Sequence, residues 1–255
     1  NCMNYFFGIN NSEFKSELQI PIFQNRKSKP EDISLYKASI ENNSWKIEFL
    51  NKDKIEDNFY IVDSNDIDNG NIFFLAYKKD VKNFNSKKLI NLNNFTDTHP
   101  SFRANLKLIL KNGGFSSYQS EYPYRMITKT GSIMSSVSSI ANTNAEKNYI
   151  FIKNIFQYPI NDTFNAFLVD IKRGKIEEKF SVKTNFTNYF ELKKSLIKPE
   201  IFLVTDKYLG VPMYVSYDKK HLSFEHTHPP HEYILSQNRF KKVSELKNKI
   251  LEIIN

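Results

Sequence analysis

Phe164-Asn165-Ala166-Phe167-Leu168-Val169-Asp170-Ile171, then Lys172-Arg173-Gly174-Lys175, then Ile176-Glu177-Glu178-Lys179-Phe180-Ser181-Val182, is the stretch on which the fold class turns. Two runs rich in Phe, Val and Ile flank a short polar segment that contains one glycine. Aromatic and β-branched residues fit a pleated, half-buried surface, and glycine takes the left-handed conformation a tight turn needs. The stretch therefore predicts a β-hairpin with Gly174 in the turn.

Outward from it, the same reading repeats. Residues 149–152, 201–204 and 211–216 are short apolar runs, and residues 213–224 read as a second hairpin with Asp218-Lys219-Lys220 at its tip. Residues 45–50 alternate apolar and polar, and 59–62 and 72–77 are bounded by Asp, Asn and Gly. Residues 106–110 run into Asn112-Gly113-Gly114, a turn that accepts positive φ, and 115–122 continue as a polar, aromatic strand. Helical signals are fewer. Pro30, Glu31 and Asp32 suit a first helical turn, so 30–40 is expected to be a helix carrying Ile33, Leu35, Tyr36 and Ile40. Asn188-Tyr189-Phe190-Glu191 resembles a capping box ahead of Leu192 and Leu196. At the C-terminus, Phe240, Val243, Leu246, Ile250 and Ile254 recur at three- and four-residue steps, which predicts an amphipathic helix over 239–254 with Phe240, Val243, Leu246 and Ile250 buried on a sheet.

The fold class is thus mainly β, with antiparallel sheets arranged as a sandwich or jelly roll and a C-terminal amphipathic helix; α+β is the alternative. A Lys- and Asn-rich stretch over 79–100 suggests a smaller N-terminal β-rich unit, 1–98, and a larger one, 99–255, or one continuous domain.

Composition narrows the function classes. The 255 residues are 40% apolar and 15% aromatic, ample for a sizeable core. No apolar run approaches the roughly 20 residues of a membrane helix. The N-terminal residues, beginning Asn1-Cys2-Met3, lack the pattern of a signal peptide. Cys2 is the single cysteine, which excludes an internal disulfide and a cysteine-based zinc cage and fits a cytoplasmic protein. The charge of +8, from 36 basic against 28 acidic residues, permits anionic partners. The cations are dispersed among acids, without a basic arm, so nucleic acid is not an expected partner. The sequons at Asn10, Asn42, Asn94, Asn161 and Asn185 are what an Asn-rich composition produces by chance. Walker loops, Gly-x-Gly-x-x-Gly and Gly-x-Ser-x-Gly are all absent from the sequence, which argues against classical nucleotide sites and a nucleophile elbow.

Four of the five histidines, His221, His226, His228 and His231, fall in one stretch. If 222–228 is a strand, His226 and His228 share a face. Pro229-Pro230 then bends the chain, so that His231 and Glu232 can fold back. This places His226 and His228 as candidate acid–base groups with Glu225 or Glu232 as the orienting carboxylate. Alternatively His226, His228 and Glu232 bind a divalent metal. The spacing of those three residues resembles the first metal-binding motif of the cupin family, over seven residues; that resemblance implies a metal-binding jelly roll. No histidine follows His231 to supply the family's second motif. A hydrogen-bonded structural corner is the third reading of the cluster.

A second candidate runs from Ser116 to Arg125. Alternation puts Tyr118, Ser120 and Tyr122 on one face and Ser117, Gln119 and Glu121 on the other. Tyrosines and amides beside Arg103 and Arg125 suit a sugar or an anionic group. The ligand-binding set is Arg103, Tyr118, Gln119, Glu121, Tyr122, Arg125 and His231. The leading expectation is an enzyme acting on a polar or anionic small molecule or a carbohydrate through a His/Glu site. The alternatives are a non-catalytic carbohydrate-binding or assembly module and a metal-binding, cupin-like protein. Because no second cysteine exists within the chain, the unfolding midpoint should be the same with and without reductant; a reductant-dependent shift would reveal a bridge between chains.

Overall fold

In the computed structural model, described over residues 4–22, 33–55, 59–82, 84, 86–89, 104–226 and 237–255, nearly all regular structure is antiparallel strand. By packing the chain divides into two units. One comprises Asn1–Lys129, Ile155–Asn161 and Asn185–Thr187; the other comprises Thr130–Asn154, Asp162–Thr184 and Asn188–Asn255. The expected boundary at 98–99 lies outside the described residues.

The first unit holds β1 (Asn4–Tyr5), β2 (Phe14–Pro21), β3 (Ile33–Glu41), β4 (Ser44–Phe49), β5 (Lys54–Ile55), β6 (Phe59–Asp63), β7 (Ile72–Tyr77), β8 (Asn105–Leu110), β9 (Phe115–Gln119) and β10 (Tyr122–Pro123), with a short helix α1 (Lys78–Lys82). A five-stranded sheet has the order β5-β6-β2-β8-β9, a three-stranded sheet the order β4-β3-β7, and β1 pairs with β10. The β8–β9 turn has Gly113 at φ +94°, as the Asn-Gly-Gly run predicts. The β3–β4 turn places Asn42 and Asn43 at φ 50° and 57°, the paired left-handed geometry of a two-residue hairpin.

The helix expected over 30–40 is not formed where the structure describes it: residues 33–41 are β3, the middle strand of its sheet. Ladder partners on both sides, with Tyr36 opposite Phe49 and Phe74, outweigh the acidic first-turn signal. Tyr36 stacks on Phe74, with ring centroids 5.7 Å apart.

The second unit is two sheets around one core. One sheet has the order β11 (Met134–Ser136), β16 (Ile201–Thr205), β13 (Thr163–Asp170), β14 (Lys175–Lys183). The other has the order β15 (Thr187–Glu191), β12 (Lys147–Lys153), β17 (Val211–Tyr217), β18 (Leu222–His226). Phe164, Ala166, Leu168, Val182 and Leu203 of the first sheet and Ile150, Ile152 and Tyr214 of the second form one buried cluster. Residues 187–191 are strand where a helix cap was expected, and only a turn of 3-10 helix, Lys194–Leu196, follows.

The β13–β14 hairpin closes as predicted. Gly174 sits at φ +65°, and the Asp170 carboxylate accepts the backbone N–H groups of Lys172 at 2.9 Å and Arg173 at 2.8 Å. Those two donors, Arg173 first, hold the Asp170 carboxyl below its ordinary range. β14 is an edge strand among the described residues. It is bulged where Leu168 and Val169 shift register and carries Lys175, Glu177, Glu178, Lys179 and Lys183.

β13 is buried on both faces. Phe167 and Val169, turned away from the sandwich core, meet Val204 and Ile250 beneath helix α2 (Arg239–Ile254). Leu246, Ile253 and Ile254 pack there half-buried, and the Lys247 ammonium donates to the Ser132 carbonyl at 3.2 Å. Of the four helix residues expected in the core, only Ile250 is fully buried. Val243 and Leu246 are half-buried, and Phe240, in the first turn, is 60% exposed beneath the Arg239 guanidinium. No helix among the described residues is long and apolar enough to cross a membrane.

Two outcomes follow for stability. Ile250→Ala should cost about 2–4 kcal/mol in denaturant unfolding, the range for truncating a buried aliphatic side chain, whereas Phe240→Ala should stay within about 0.5 kcal/mol. Equal effects would mean that α2 does not dock through Ile250. For Asp170, a carboxyl whose folded pKa is depressed stabilises above the ordinary carboxylate pKa of about 3.9 and loses that contribution as pH falls through the lower, folded value. Asp170→Ala should lower the melting temperature at neutral pH and flatten its fall on acidification; an unchanged acid profile would count against the turn as its source.

Candidate functional site

The histidine segment is only partly placed. β18 pairs with β17 so that His226 lies opposite Met213 and Glu225 opposite Tyr214. Alternation puts His226, half-buried, on the face that buries Phe224, and Glu225, exposed, on the other. Glu225 and His226 therefore diverge. His228, His231 and Glu232 lie outside the described residues. His221 is taken up by the β17–β18 turn: its ring Nδ1 is 3.2 Å from the Asp218 carboxylate. That carboxylate also accepts the N–H groups of Lys220 and His221, which hold it below its ordinary range. Among the described residues, no group of three or more His, Cys, Asp or Glu side chains is arranged to hold a metal ion.

The second candidate separates into an inside and an outside. Tyr118 is buried and Tyr122 is fully enclosed, and burial pushes the Tyr122 phenol well above its ordinary range. Between them, Ser120 is fully buried, and its hydroxyl binds both backbone polar groups of Phe7. These three residues are the core face of their strand segment, so the two tyrosines have no open ring face to stack on a ligand. Gln119, exposed, and Glu121, half-buried, are on the solvent side. Arg125 lies in the 3-10 turn Tyr124–Thr128, and its side chain, like all of Arg103, lies outside the described residues.

The solvent side is part of a larger surface. β2, β8 and β9 are neighbours, and their registers set Gln19 opposite Asn105 and Asn105 opposite Gln119. Three amides thus form a row across three strands. β6 places Ile61 at the end of this row. The next row is Asp63, Glu17, Lys107, Ser117, and the third is Lys15, Ile109, Phe115. Every residue of the three rows is half-buried or exposed. Phe115 is 60% exposed, with the Lys107 ammonium 4.5 Å from its ring centroid. The Gln19 amide donates to the Glu17 carboxylate at 3.0 Å.

Of the expected residues, only Gln119 stands in these rows. Asn105, Gln19, Lys107 and Phe115 belong to the surface without having been singled out. The available signal was local: Phe115, Ser117 and Gln119 are one alternating face of β9. That Gln19, some 100 residues earlier in the chain, joins them depends on strand pairing.

Compared with protein-family models, with curated proteins and with solved structures, the chain gives no match.

Proposed function

We propose that the chain is a non-catalytic carbohydrate-binding module whose platform is the solvent face of β2, β8 and β9. The observation that carries this reading is the row Gln19–Asn105–Gln119, aligned by register on the sheet face turned away from the core, with Gln19 and Asn105 half-buried and Gln119 exposed. A sugar hydroxyl both donates and accepts, and a carboxamide does the same with its N–H2 and carbonyl groups. A row of amides can therefore satisfy successive hydroxyls without committing a fixed charge. Phe115, an exposed ring on the same face, stands four residues along β9 from Gln119, about 13 Å away at roughly 3.3 Å per residue, and so lies beyond a sugar seated on the row. A ligand seated on one face of a sheet is covered on one side only, which implies modest affinity.

The catalytic reading places the work instead on His226 with His228 and Glu232. Glu225 is directed to the other face of β18, so that reading depends on the residues after His226.

The two readings separate in one binding experiment. The full chain is screened against immobilised polysaccharides and soluble oligosaccharides, with affinities from calorimetry. Asn105→Ala and Gln119→Ala should each weaken binding by about 1 kcal/mol, roughly fivefold, whereas Phe115→Ala, away from the row, should change it by less than about twofold, with unfolding midpoints unchanged. His226→Ala should leave binding intact. Loss of binding in His226→Ala with the platform variants unaffected would move the site to the histidine segment.

A further inference from the structure

The platform has a direction. Along any one strand the outward residues change in kind: Asn105, Lys107, Ile109 on β8; Gln19, Glu17, Lys15 on β2; Gln119, Ser117, Phe115 on β9. Across the strands the same group repeats, an amide on each of three neighbours. Adjacent strands are about 4.8 Å apart, so the row offers one amide at each such step and spans about 10 Å. That step is close to the length of one unit in an extended 1,4-linked pyranose chain. The row is bounded: Ile61 stands at its β6 end, and β9 is the edge strand at the other among the described residues.

The platform also has a charge, and it differs from that of the chain. Lys15 and Lys107 are balanced by Glu17 and Asp63, and Glu17 lies opposite both Lys107 and Asp63 in register. A net charge of +8 over the whole sequence is not expressed on this face. An acidic glycan would gain little here from long-range attraction, and the amide row carries no formal charge for it to pair with.

We infer that the ligand is a neutral, extended, unbranched glycan lying across β2, β8 and β9 at right angles to the strands, one sugar unit over each amide, in three subsites. This inference rests on the carbohydrate-binding reading. A coiled glycan does not keep successive units in line with the row, and an acidic one finds no uncompensated cation there, since Lys107 lies beside Glu17 and Lys52 is paired with Asp63.

The test uses the full chain and three probe series: β-1,4-linked gluco-oligosaccharides of one to six units, maltohexaose as a coiled chain of the same sugar, and oligogalacturonate as an acidic chain. Affinity for the extended series should rise roughly fivefold with each unit up to the third, one hydrogen-bonding amide per step, and then level off. Gln19→Ala should move that plateau from three units to two, whereas Asn105→Ala, which removes the middle subsite, should weaken every oligomer of two units or more. Both side chains lie on the solvent face, and unchanged melting temperatures show that the variants fold. Affinity independent of length, or stronger binding of maltohexaose or oligogalacturonate with the same sensitivity to Asn105→Ala, overturns the extended neutral ligand and leaves the binding module standing. Failure of every carbohydrate to bind overturns both.

Discussion

The register of β2 against β8, and of β8 against β9, is the constraint from which the first unit follows. Leu18 opposite Leu106, and Leu106 opposite Tyr118, bury one face of the sheet. Side chains alternate with a period of two, so the same pairing leaves Gln19, Asn105 and Gln119 on the other face and in line. A slip of one residue would expose the leucines and bury the amides together. The apolar face and the polar row are therefore one solution: the leucines supply the free energy that fixes the register, and the amides take their alignment from it.

In the second unit the controlling feature is β13. Its inward residues, Phe164, Ala166 and Leu168, belong to the core between the sheets, while Phe167 and Val169 need a second cover. Helix α2 provides it, mainly through Ile250. The unbroken apolar run 166–169 is the imprint of this arrangement, because a strand covered on both faces has no polar side to alternate with. Phe240 stays outside because the packing of α2 on this surface is concentrated from Leu246 onward, in Leu246, Ile250, Ile253 and Ile254.

Local chemistry was the legible part of the sequence. Gly174 and Gly113 mark their turns because only left-handed backbone closes them, and both hairpins were visible for that reason. Residues 33–41 and 187–191 were misread because helix-start signals are carried by a few flanking residues, whereas the strand's stabilisation comes from partners far away in the chain. The candidate platform was legible only on β9. Choosing between its two faces required knowing which one meets a core: Tyr118 and Tyr122 drew attention as aromatic residues, and they are aromatic because they are core. The amide row was invisible for a related reason, since it is assembled from residues 19, 105 and 119 and exists only once the strands are paired.

The edge formed by β14 bears on how copies of this chain behave at high concentration. A nine-residue edge strand is a template for another strand to pair with. Here the bulge in its pairing with β13 bends the strand, and Lys175, Glu177, Glu178, Lys179 and Lys183 would have to be desolvated, some against like charges, by any copy adding to it. At this edge, among the described residues, growth of the sheet from one molecule to the next carries a charge-desolvation cost at its first step.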